Sequence, residues 1–339
     1  MSTAKTNLLL VLTAAIWGFA FAAQREGAQY VGAFSFNAAR FALGGLSLLP
    51  VIAILRARTT TPFRARHPWW VTPAWGGAAG LVLFTASTLQ QFGIETTTAG
   101  KASFITGLYI VLVPILGIVL GHRTDARTWA GVVLAVAGLW LLSFVPGFSL
   151  VAGDGLVLIG AFFWAIHILV IDRANLDVDS LHLAAIQFGT CAGLSAIAAA
   201  ATETAPFAGL GDAVVPVLYA GLLSVGVAYT LQVVAQQWAK PAHAALILSL
   251  ETVFGAVGGA LVLGETMTAR GYTGSLLILG GITVSQLPRR SRDPEAPDPP
   301  AAGPRPALRR GPSSRSPAQT RAPAARARSR SGPRAGSRR

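Results

Sequence analysis

The sequence is dominated by long apolar runs, each about the length needed to cross a lipid bilayer. A membrane-spanning helix needs roughly 20 mostly apolar residues, because each adds about 1.5 Å across a hydrocarbon core of about 30 Å. Hydrophobic residues make up 53% of the chain. Charged residues make up only 12%, whereas soluble domains carry about 25%. The runs lack the alternation that a membrane β-strand requires. We therefore predict an all-α membrane protein with ten transmembrane helices, at 7–24, 33–55, 71–92, 100–121, 127–145, 153–172, 180–201, 212–235, 242–263 and 270–287.

Lysine and arginine residues between the runs predict how the chain is oriented, since they concentrate on the cytoplasmic side of membrane proteins. With the N-terminus in the cytoplasm, nine basic residues fall on the inner side and three on the outer side. We therefore expect a multi-pass protein of the inner (plasma) membrane with both termini cytoplasmic. The inner residues are Lys5, Arg56, Arg58, Arg64, Arg66, Arg123, Arg127, Arg173 and Lys240, and the outer ones are Arg25, Lys101 and Arg270.

The two halves of the chain match each other at nearly constant offsets. Trp17 falls on Trp164 at an offset of +147, and Thr88-Leu89-Gln90 falls on Thr230-Leu231-Gln232 at +142. At +143, Gly131 falls on Gly274 and Gly138 on Gly281. The sequence therefore predicts an internal duplication, with one repeat at 1–145 and the other at 146–287.

Each repeat contains five runs, so the second copy enters the membrane from the opposite side. Such inverted repeats are related by a pseudo-two-fold axis in the membrane plane. They place a substrate site near the midplane, and rocking of one repeat against the other gives alternating access. The duplication therefore indicates transport. A non-transporting membrane sensor or assembly partner with the same fold is the alternative.

Several segments occur in the order typical of one transporter family: AAIWG at 14–18, FNAARF at 36–41, TTAGKASFITGLY at 97–109, PILG at 114–117 and AALILSLE at 244–251. On these segments the chain resembles the EamA family of the drug/metabolite transporter superfamily, over about residues 7–287. The resemblance implies a secondary carrier, often an exporter of metabolites, amino acids or drugs, driven by a proton or exchange gradient. Two positions depart from the family pattern, which often has proline at Thr252 and glutamate at His122.

Three ionisable residues stand out inside the apolar runs, where a charge costs about 2.5–3.5 kcal/mol on insertion scales. Glu251 is a candidate for proton-linked substrate binding, or a carboxylate beside a water-filled vestibule or a polar neighbour. Arg40 can bind an anionic substrate group through its planar fork, or it can extend to the headgroups or pair with an acidic residue. His167 can relay protons, or it can be a hydrogen-bonded packing residue.

Amides, hydroxyls and indoles within the runs complete the candidate substrate site. Such groups can line a cavity, or they can bond one helix to another. We expect about half of them to face the cavity, as recognition groups for a small polar solute. The set is Trp17, Asn37, Gln90, Gln91, Thr106, Tyr109, Trp164, Gln187, Gln232 and Ser249.

No cofactor, metal or nucleotide site is predicted. Gly100-Lys101 resembles the end of a P-loop, but Ala102 follows where serine or threonine is required, and Glu95 occupies the first glycine position. The single cysteine, Cys191, offers neither a disulfide nor a zinc site. We therefore expect that the protein is not an enzyme and is not driven directly by ATP.

The segment 288–339 differs from the rest, with fourteen arginines against three acidic residues, a net charge of +11. Its arginine, proline, alanine and serine content predicts a disordered cytoplasmic tail. The tail is either a contact for anionic inner-leaflet lipid or an extension without a dedicated role. No specific nucleic-acid partner is expected, and association into a homodimer stays open.

Overall fold

The computed structural model of the protein describes residues 1–58, 68–143, 151–263 and 269–287. Throughout these ranges the regular structure is helical, with no strand. The all-α prediction is therefore confirmed. The predicted boundary between residues 145 and 146 and the predicted tail at 288–339 lie outside the described residues.

Ten helices follow one another within the described ranges, as predicted, and most begin and end within a few residues of the apolar runs. They are α1 (Thr3–Gly27), α2 (Ala33–Arg58), α3 (Val71–Thr96), α4 (Ala99–Gly107 and Tyr109–Val119), α5 (Ala126–Ser143), α6 (Ala152–Ala174), α7 (Ser180–Thr202), α8 (Val214–Leu218, Tyr219–Tyr229 and Thr230–Ala235), α9 (Pro241–Leu248 and Glu251–Leu263) and α10 (Ala269–Gln286).

Seven of these helices are long and apolar enough to cross a membrane by length and composition alone: α1, α2, α4, α6, α7, α8 and α9. The other three complete the two sets of five. Helix α3 is the counterpart of α8 and contains glycines, hydroxyls and amides that lower its hydropathy. Helices α5 and α10 are counterparts of each other, and each has 18 residues.

Helices α4 and α9 are each interrupted once, at equivalent places in the two repeats. The first interruption is at Leu108 and the second at Ser249 and Leu250, and Leu108 falls on Leu250 at +142. At both places the backbone tightens into three-residue hydrogen bonds: Val111 N donates to Leu108 O at 3.0 Å and Thr252 N to Ser249 O at 3.1 Å. These amides are satisfied within the chain, so ligand recognition at the interruptions falls to side chains.

Helix packing follows the pseudo-two-fold relation between the repeats. Helix α2 packs against its counterpart α7, and α5 against its counterpart α10. Other large contacts occur in equivalent pairs: α3 with α6 matches α8 with α1, and α4 with α6 matches α9 with α1. The inverted duplication predicted from the sequence is therefore present in the packing.

Glycines allow α5 and α10 to cross with their backbones in contact. A Cβ atom added at Gly131 would lie 2.6 Å from Gly281 O, and one added at Gly138 would lie 2.5 Å from Gly274 O. Because Gly131 matches Gly274 and Gly138 matches Gly281, these are the same contact repeated across the axis. Small residues at a helix crossing let the backbones approach closely in a membrane, where packing drives association.

Helix α8 is π-helical from Tyr219 to Tyr229, whereas its counterpart α3 is α-helical throughout. π-Helical turns are frequent at functional sites. Two carbonyl groups of this segment accept side-chain hydrogen bonds from α1. Trp17 Nε1 donates to Ser224 O at 3.3 Å, and Thr13 Oγ1 donates to Ala228 O at 3.2 Å. These bonds attach the π-helical segment to α1.

The glycine crossing gives a test of stability. We expect Gly281→Ala to lower stability by about 1–3 kcal/mol, because its Cβ would lie 2.5 Å from Gly131 O and overpacking typically costs that amount. Gly280→Ala is the matched control, since its Cβ would meet nothing within 4 Å. The control should leave the thermal unfolding midpoint in detergent unchanged or slightly higher. Equal midpoints for the two variants would contradict the crossing.

Candidate functional site

A cavity lies in the middle of the helices, lined by side chains from α1, α2, α3, α4, α6, α8 and α9. All of its lining residues are buried except Trp17, which is half-buried. Eight of the predicted site residues line it: Trp17, Arg40, Gln90, Thr106, Tyr109, Trp164, Gln232 and Glu251.

Besides the apolar pair Phe21 and Ile168, the lining contains three pairs of residues with polar groups at equivalent positions of the two repeats, so the cavity spans the pseudo-two-fold axis. Two pairs have the same chemistry, whereas the third has a phenol in one repeat and a carboxylate in the other. Each member of the third pair is the first residue after the interruption of its helix. The pairs are Trp17 with Trp164, Gln90 with Gln232, and Tyr109 with Glu251.

Tyr229 lies between the two equivalent tryptophans. Its ring centroid is 4.6 Å from that of Trp17 and 6.0 Å from that of Trp164. Phe41 and Phe188 pack behind Tyr229, with centroids at 6.0 Å and 6.1 Å. Such contacts stabilise by about 0.5–1.5 kcal/mol each beyond the area they bury. One wall of the cavity is therefore a fixed aromatic surface.

Gln90 is the centre of a hydrogen-bond network that is closed on itself. Its Oε1 accepts from Trp164 Nε1 at 2.8 Å and from Thr106 Oγ1 at 3.3 Å. Its Nε2 donates to Gln24 Oε1 at 3.1 Å, and Gln24 Nε2 donates to Ala20 O at 3.3 Å. Because each named polar atom has a partner, this network fixes the shape of the cavity.

Arg40 brings a positive charge to the cavity from α2. It is 1% exposed, and its Nε donates to Asn37 Oδ1 at 2.9 Å. Its guanidinium carbon lies 4.9 Å from the centroid of Phe41 and 5.6 Å from that of Phe36. Among the described residues no carboxylate forms an ion pair with it, and its Nη2 has no hydrogen-bond partner. An anion in the cavity would satisfy this group.

Glu251 brings a carboxyl group to the same cavity from α9. It is 3% exposed, and within the described part of the chain its Oε1 has no hydrogen-bond partner. The Oε1 of Gln232 also lacks a partner there. No ion pair joins Glu251 to Arg40 in this structure. In contrast to the Gln90 network, these groups leave bonding capacity for a solute.

The other five predicted site residues, Asn37, Gln91, His167, Gln187 and Ser249, do not line the cavity. Asn37 lies behind Arg40 as its hydrogen-bond acceptor. His167 is fully buried and its Nε2 lies 2.9 Å from Gln187 Oε1. Ser249 Oγ donates to Leu246 O at 2.7 Å, within α9. Gln91, which the sequence placed in the wider polar set, donates to Gln24 O at 3.2 Å.

Three polar residues of the lining were not predicted: Gln24, Ser224 and Tyr229. Gln24 lies near the end of α1, and at +147 it falls on Ile171, so the repeat gives no signal for it. Tyr229 directly precedes the matched Thr230-Leu231-Gln232, and this position could have identified it. The remaining unpredicted lining residues are the apolar Ala20, Phe21 and Ile168.

Ten helices in two inverted sets, closed around a central polar cavity, form the architecture of a membrane carrier. The sequence model of the EamA-like transporter family matches the chain twice, over residues 4–144 and 151–286. The chain therefore belongs to the EamA-like transporter family, which is part of the drug/metabolite transporter superfamily. The family prediction made from the sequence is confirmed, and the protein is a multi-pass membrane protein of a transporter family.

Individual proteins that are similar to this chain are consistent with the family match. A protein of Archaeoglobus fulgidus described as an uncharacterized transporter is 32% identical over 282 residues, which cover 83% of this chain and 85% of that protein. An uncharacterized protein of Pseudomonas aeruginosa is 29% identical, over 77% of this chain and 87% of that protein. A crystal structure with 18% identity aligns at a TM-score of 0.68, over 84% of this chain and 97% of that one, and shows the same fold.

The His167–Gln187 contact gives a test that is independent of transport. Replacing Gln187 with leucine leaves the buried imidazole without its partner, which costs about 1–3 kcal/mol. The double variant with His167→Leu as well removes both polar groups, so we expect it to be more stable than the sum of the single changes predicts. Thermal unfolding of the four proteins gives the coupling energy directly. Additive changes would mean that the two side chains do not interact.

Proposed function

We propose that the protein is a secondary carrier that exports a small zwitterionic solute across the plasma membrane by alternating access. A zwitterion is a solute with one positive and one negative group. The cavity would face the two sides of the membrane in turn, with both termini of the chain in the cytoplasm. The direction of transport and the orientation follow from the family resemblance and from the distribution of basic residues between the helices.

The pair of opposite charges in the cavity carries this proposal. Arg40 and Glu251 are almost completely buried, line the same cavity and are not paired with each other. A buried charge without a partner costs several kcal/mol, which a ligand of opposite charge recovers. An anionic solute would satisfy only Arg40, and a cationic one only Glu251. A solute with both groups satisfies both residues.

The aromatic wall supports the same class of solute. Tyr229 and the two equivalent tryptophans, Trp17 and Trp164, line the cavity beside these charges. Ring faces attract cations by about 0.5–2 kcal/mol and also bury apolar surface. We therefore infer that the carboxylate of the solute binds Arg40, its ammonium group binds Glu251, and its apolar part packs against the rings.

Glu251 also offers a route to proton coupling. A buried carboxylate is stabilised either by a cationic partner or by a proton. If the ammonium group of the solute and a proton compete for the same carboxylate, binding of one requires release of the other. Outward movement of the solute would then be exchanged for inward movement of a proton, and the proton gradient would drive export.

Counterflow in proteoliposomes tests the binding roles. Vesicles containing the purified protein are loaded with unlabelled zwitterions, anions and cations in turn, and entry of the labelled solute is measured. We expect counterflow only with zwitterions. Arg40→Gln and Glu251→Gln should each lower it about tenfold or more, because a hydrogen bond to a charged group contributes about 1.5–3 kcal/mol. Asp212→Asn, at an exposed loop residue, is the matched control and should not change it.

The same preparation tests proton coupling. In the wild type an imposed pH gradient should raise the rate of zwitterion movement in the direction opposite to the protons, and a protonophore should abolish the rise. Glu251→Gln should respond to neither treatment, because it removes the titratable group and keeps most of the shape. A pH response that persists in Glu251→Gln would assign coupling to another residue. Absence of any solute flux in the wild type would favour a non-transporting role.

A further inference from the structure

We propose that the turns joining α3 to α4 and α8 to α9 are the two gates of the cavity, and that they are unequally strong. The gate at the α3–α4 turn (residues 94–101) is held by charged side chains, and the gate at the α8–α9 turn (residues 233–243) by amide, hydroxyl and imidazole groups. The α8–α9 gate therefore opens more readily. This inference rests on the proposed function as a carrier, and it assigns the residues that determine which side the cavity faces.

Arg25 holds the α3–α4 gate from the end of α1. Its Nη1 donates to Ile94 O at 3.0 Å and to Glu95 O at 2.8 Å. Both carbonyls belong to the last turn of α3, where they have no partner within the helix. A guanidinium at this end is also favoured by the helix dipole. The contact joins the end of α1 to the end of α3 beside the cavity.

Asp154 holds the same gate from the start of α6. Its Oδ2 accepts from Lys101 Nζ at 3.1 Å and its Oδ1 from Thr97 Oγ1 at 2.5 Å. Oδ2 also accepts from Val151 N at 2.9 Å. Asp154 is 3% exposed and Lys101 is 18% exposed. The α3–α4 turn is therefore held between α1 and α6 by two basic side chains and one buried carboxylate.

The α8–α9 gate is held at both ends in the same way, with different chemistry. On the α6 side, Asn175 Nδ2 donates to Val233 O at 2.9 Å, and Gln237 Nε2 donates to Ser180 Oγ at 2.5 Å. On the α1 side, His243 Nε2 lies 3.1 Å from Asn7 Oδ1. Within the described ranges of the chain, none of these side chains forms an ion pair.

The two gates contain one equivalent contact. His243 is the counterpart of Lys101 at +142, and Asp154 is the counterpart of Asn7 at +147. These are the same offsets that relate the α3–α8 and the α1–α6 helix pairs. The inverted repeat therefore places a lysine–aspartate ion pair at one gate and a histidine–asparagine hydrogen bond at the other, in the same helix geometry.

This difference decides which gate opens first. Separating Lys101 from Asp154 leaves a buried carboxylate without its cationic partner, which is strongly destabilising. Separating His243 from Asn7 breaks a hydrogen bond between two half-buried side chains, whose net contribution is modest. The open state at the α8–α9 gate is therefore the more populated one. In the proposed orientation this gate faces the cytoplasm, so the carrier waits for its solute on the side from which export starts.

A single reporter cysteine in the cavity tests the proposal. Ser224 lines the cavity, and Ser224→Cys in a Cys191→Ala background provides one thiol there. Right-side-out and inverted membrane vesicles are treated with a small, membrane-impermeant thiol reagent, and the labelling rate is measured from each face. With the wild-type gates, we expect the reporter cysteine to be labelled faster from the membrane face of the α8–α9 gate than from the opposite face. This assay requires no knowledge of the solute.

Two sets of variants then alter one gate at a time. Asp154→Asn weakens the α3–α4 gate, and we expect labelling from that side to rise about tenfold, which corresponds to 1.4 kcal/mol. Lys101→Gln breaks the same contact from its more exposed partner and should act in the same direction. Asn7→Asp with His243→Lys transfers the ion pair to the α8–α9 gate. This double change should reduce labelling from that side by a similar factor.

Arg173→Gln is the matched control. It removes the Arg173–Asp177 ion pair at 2.9 Å, which connects the end of α6 to the turn that follows it, and the contact of its guanidinium with the Trp75 ring of α3. We expect its labelling rates to equal those of the wild type. Size-exclusion chromatography shows whether each variant folds. If the two α3–α4 variants do not fold, the variant with the transferred ion pair still tests the proposal.

Equal labelling from both faces in the wild type, unchanged by the transferred ion pair, would overturn the proposal. A shift in the labelling rates caused by Arg173→Gln would also overturn it, since contacts outside the two gates would then control accessibility equally well. The outcome is separate from that of the proposed function. If the gate variants shift the accessibility of the reporter cysteine but the protein shows no solute flux, the proposed carrier function is refuted and the gate proposal stands. Flux with symmetrical accessibility would refute only the gates.

Discussion

The cost of placing a charge inside a membrane organises this structure. An unpaired ionised side chain in the bilayer interior costs at least 2.5–3.5 kcal/mol, so each one must have a partner or a water-filled space. Near the helix ends the charges are paired, as Lys101 is with Asp154. In the middle, Arg40 and Glu251 are not paired with each other, and both line the one cavity described here. In the proposed carrier, the positions of these two groups define where the solute binds.

The inverted repeat supplies equivalent positions, and the side chains at those positions differ where function requires a difference. The backbone interruption after Leu108 recurs after Leu250, yet the next residue is Tyr109 in one repeat and Glu251 in the other. In the same way, Arg40 matches Gln187, which is directed to His167 outside the cavity. The backbone around the cavity is symmetrical, whereas the charged side chains are distributed asymmetrically. A polar site binds a polar solute in one orientation, which explains how a two-fold scaffold can recognise an asymmetric molecule.

Much of this architecture was predictable because it follows from hydropathy and duplication. Apolar run lengths predict the ten helices, and the matched Gly131 and Gly274 already lie at the repeat-related α5–α10 crossing. The site was predictable in part, since polarity within an apolar run does not specify which face of the helix a residue occupies. His167 and Glu251 are both ionisable and central in their runs, but only Glu251 faces the cavity. The π-helical segment of α8 was not predictable, because no residue type in Tyr219–Tyr229 distinguishes it from an apolar α-helix.

The π-helical segment has a consequence for how such a chain can evolve and be inserted. A carrier with identical halves would work equally well whichever way up it entered the bilayer, and nothing would select one direction. Among the described residues, only the second repeat contains the wide turn that carries Ser224 and Tyr229 to the cavity. Turning the molecule over would present a different wall to each compartment. Basic residues between helices orient membrane proteins during biosynthesis, so in the proposed carrier they would determine substrate handling as well as topology.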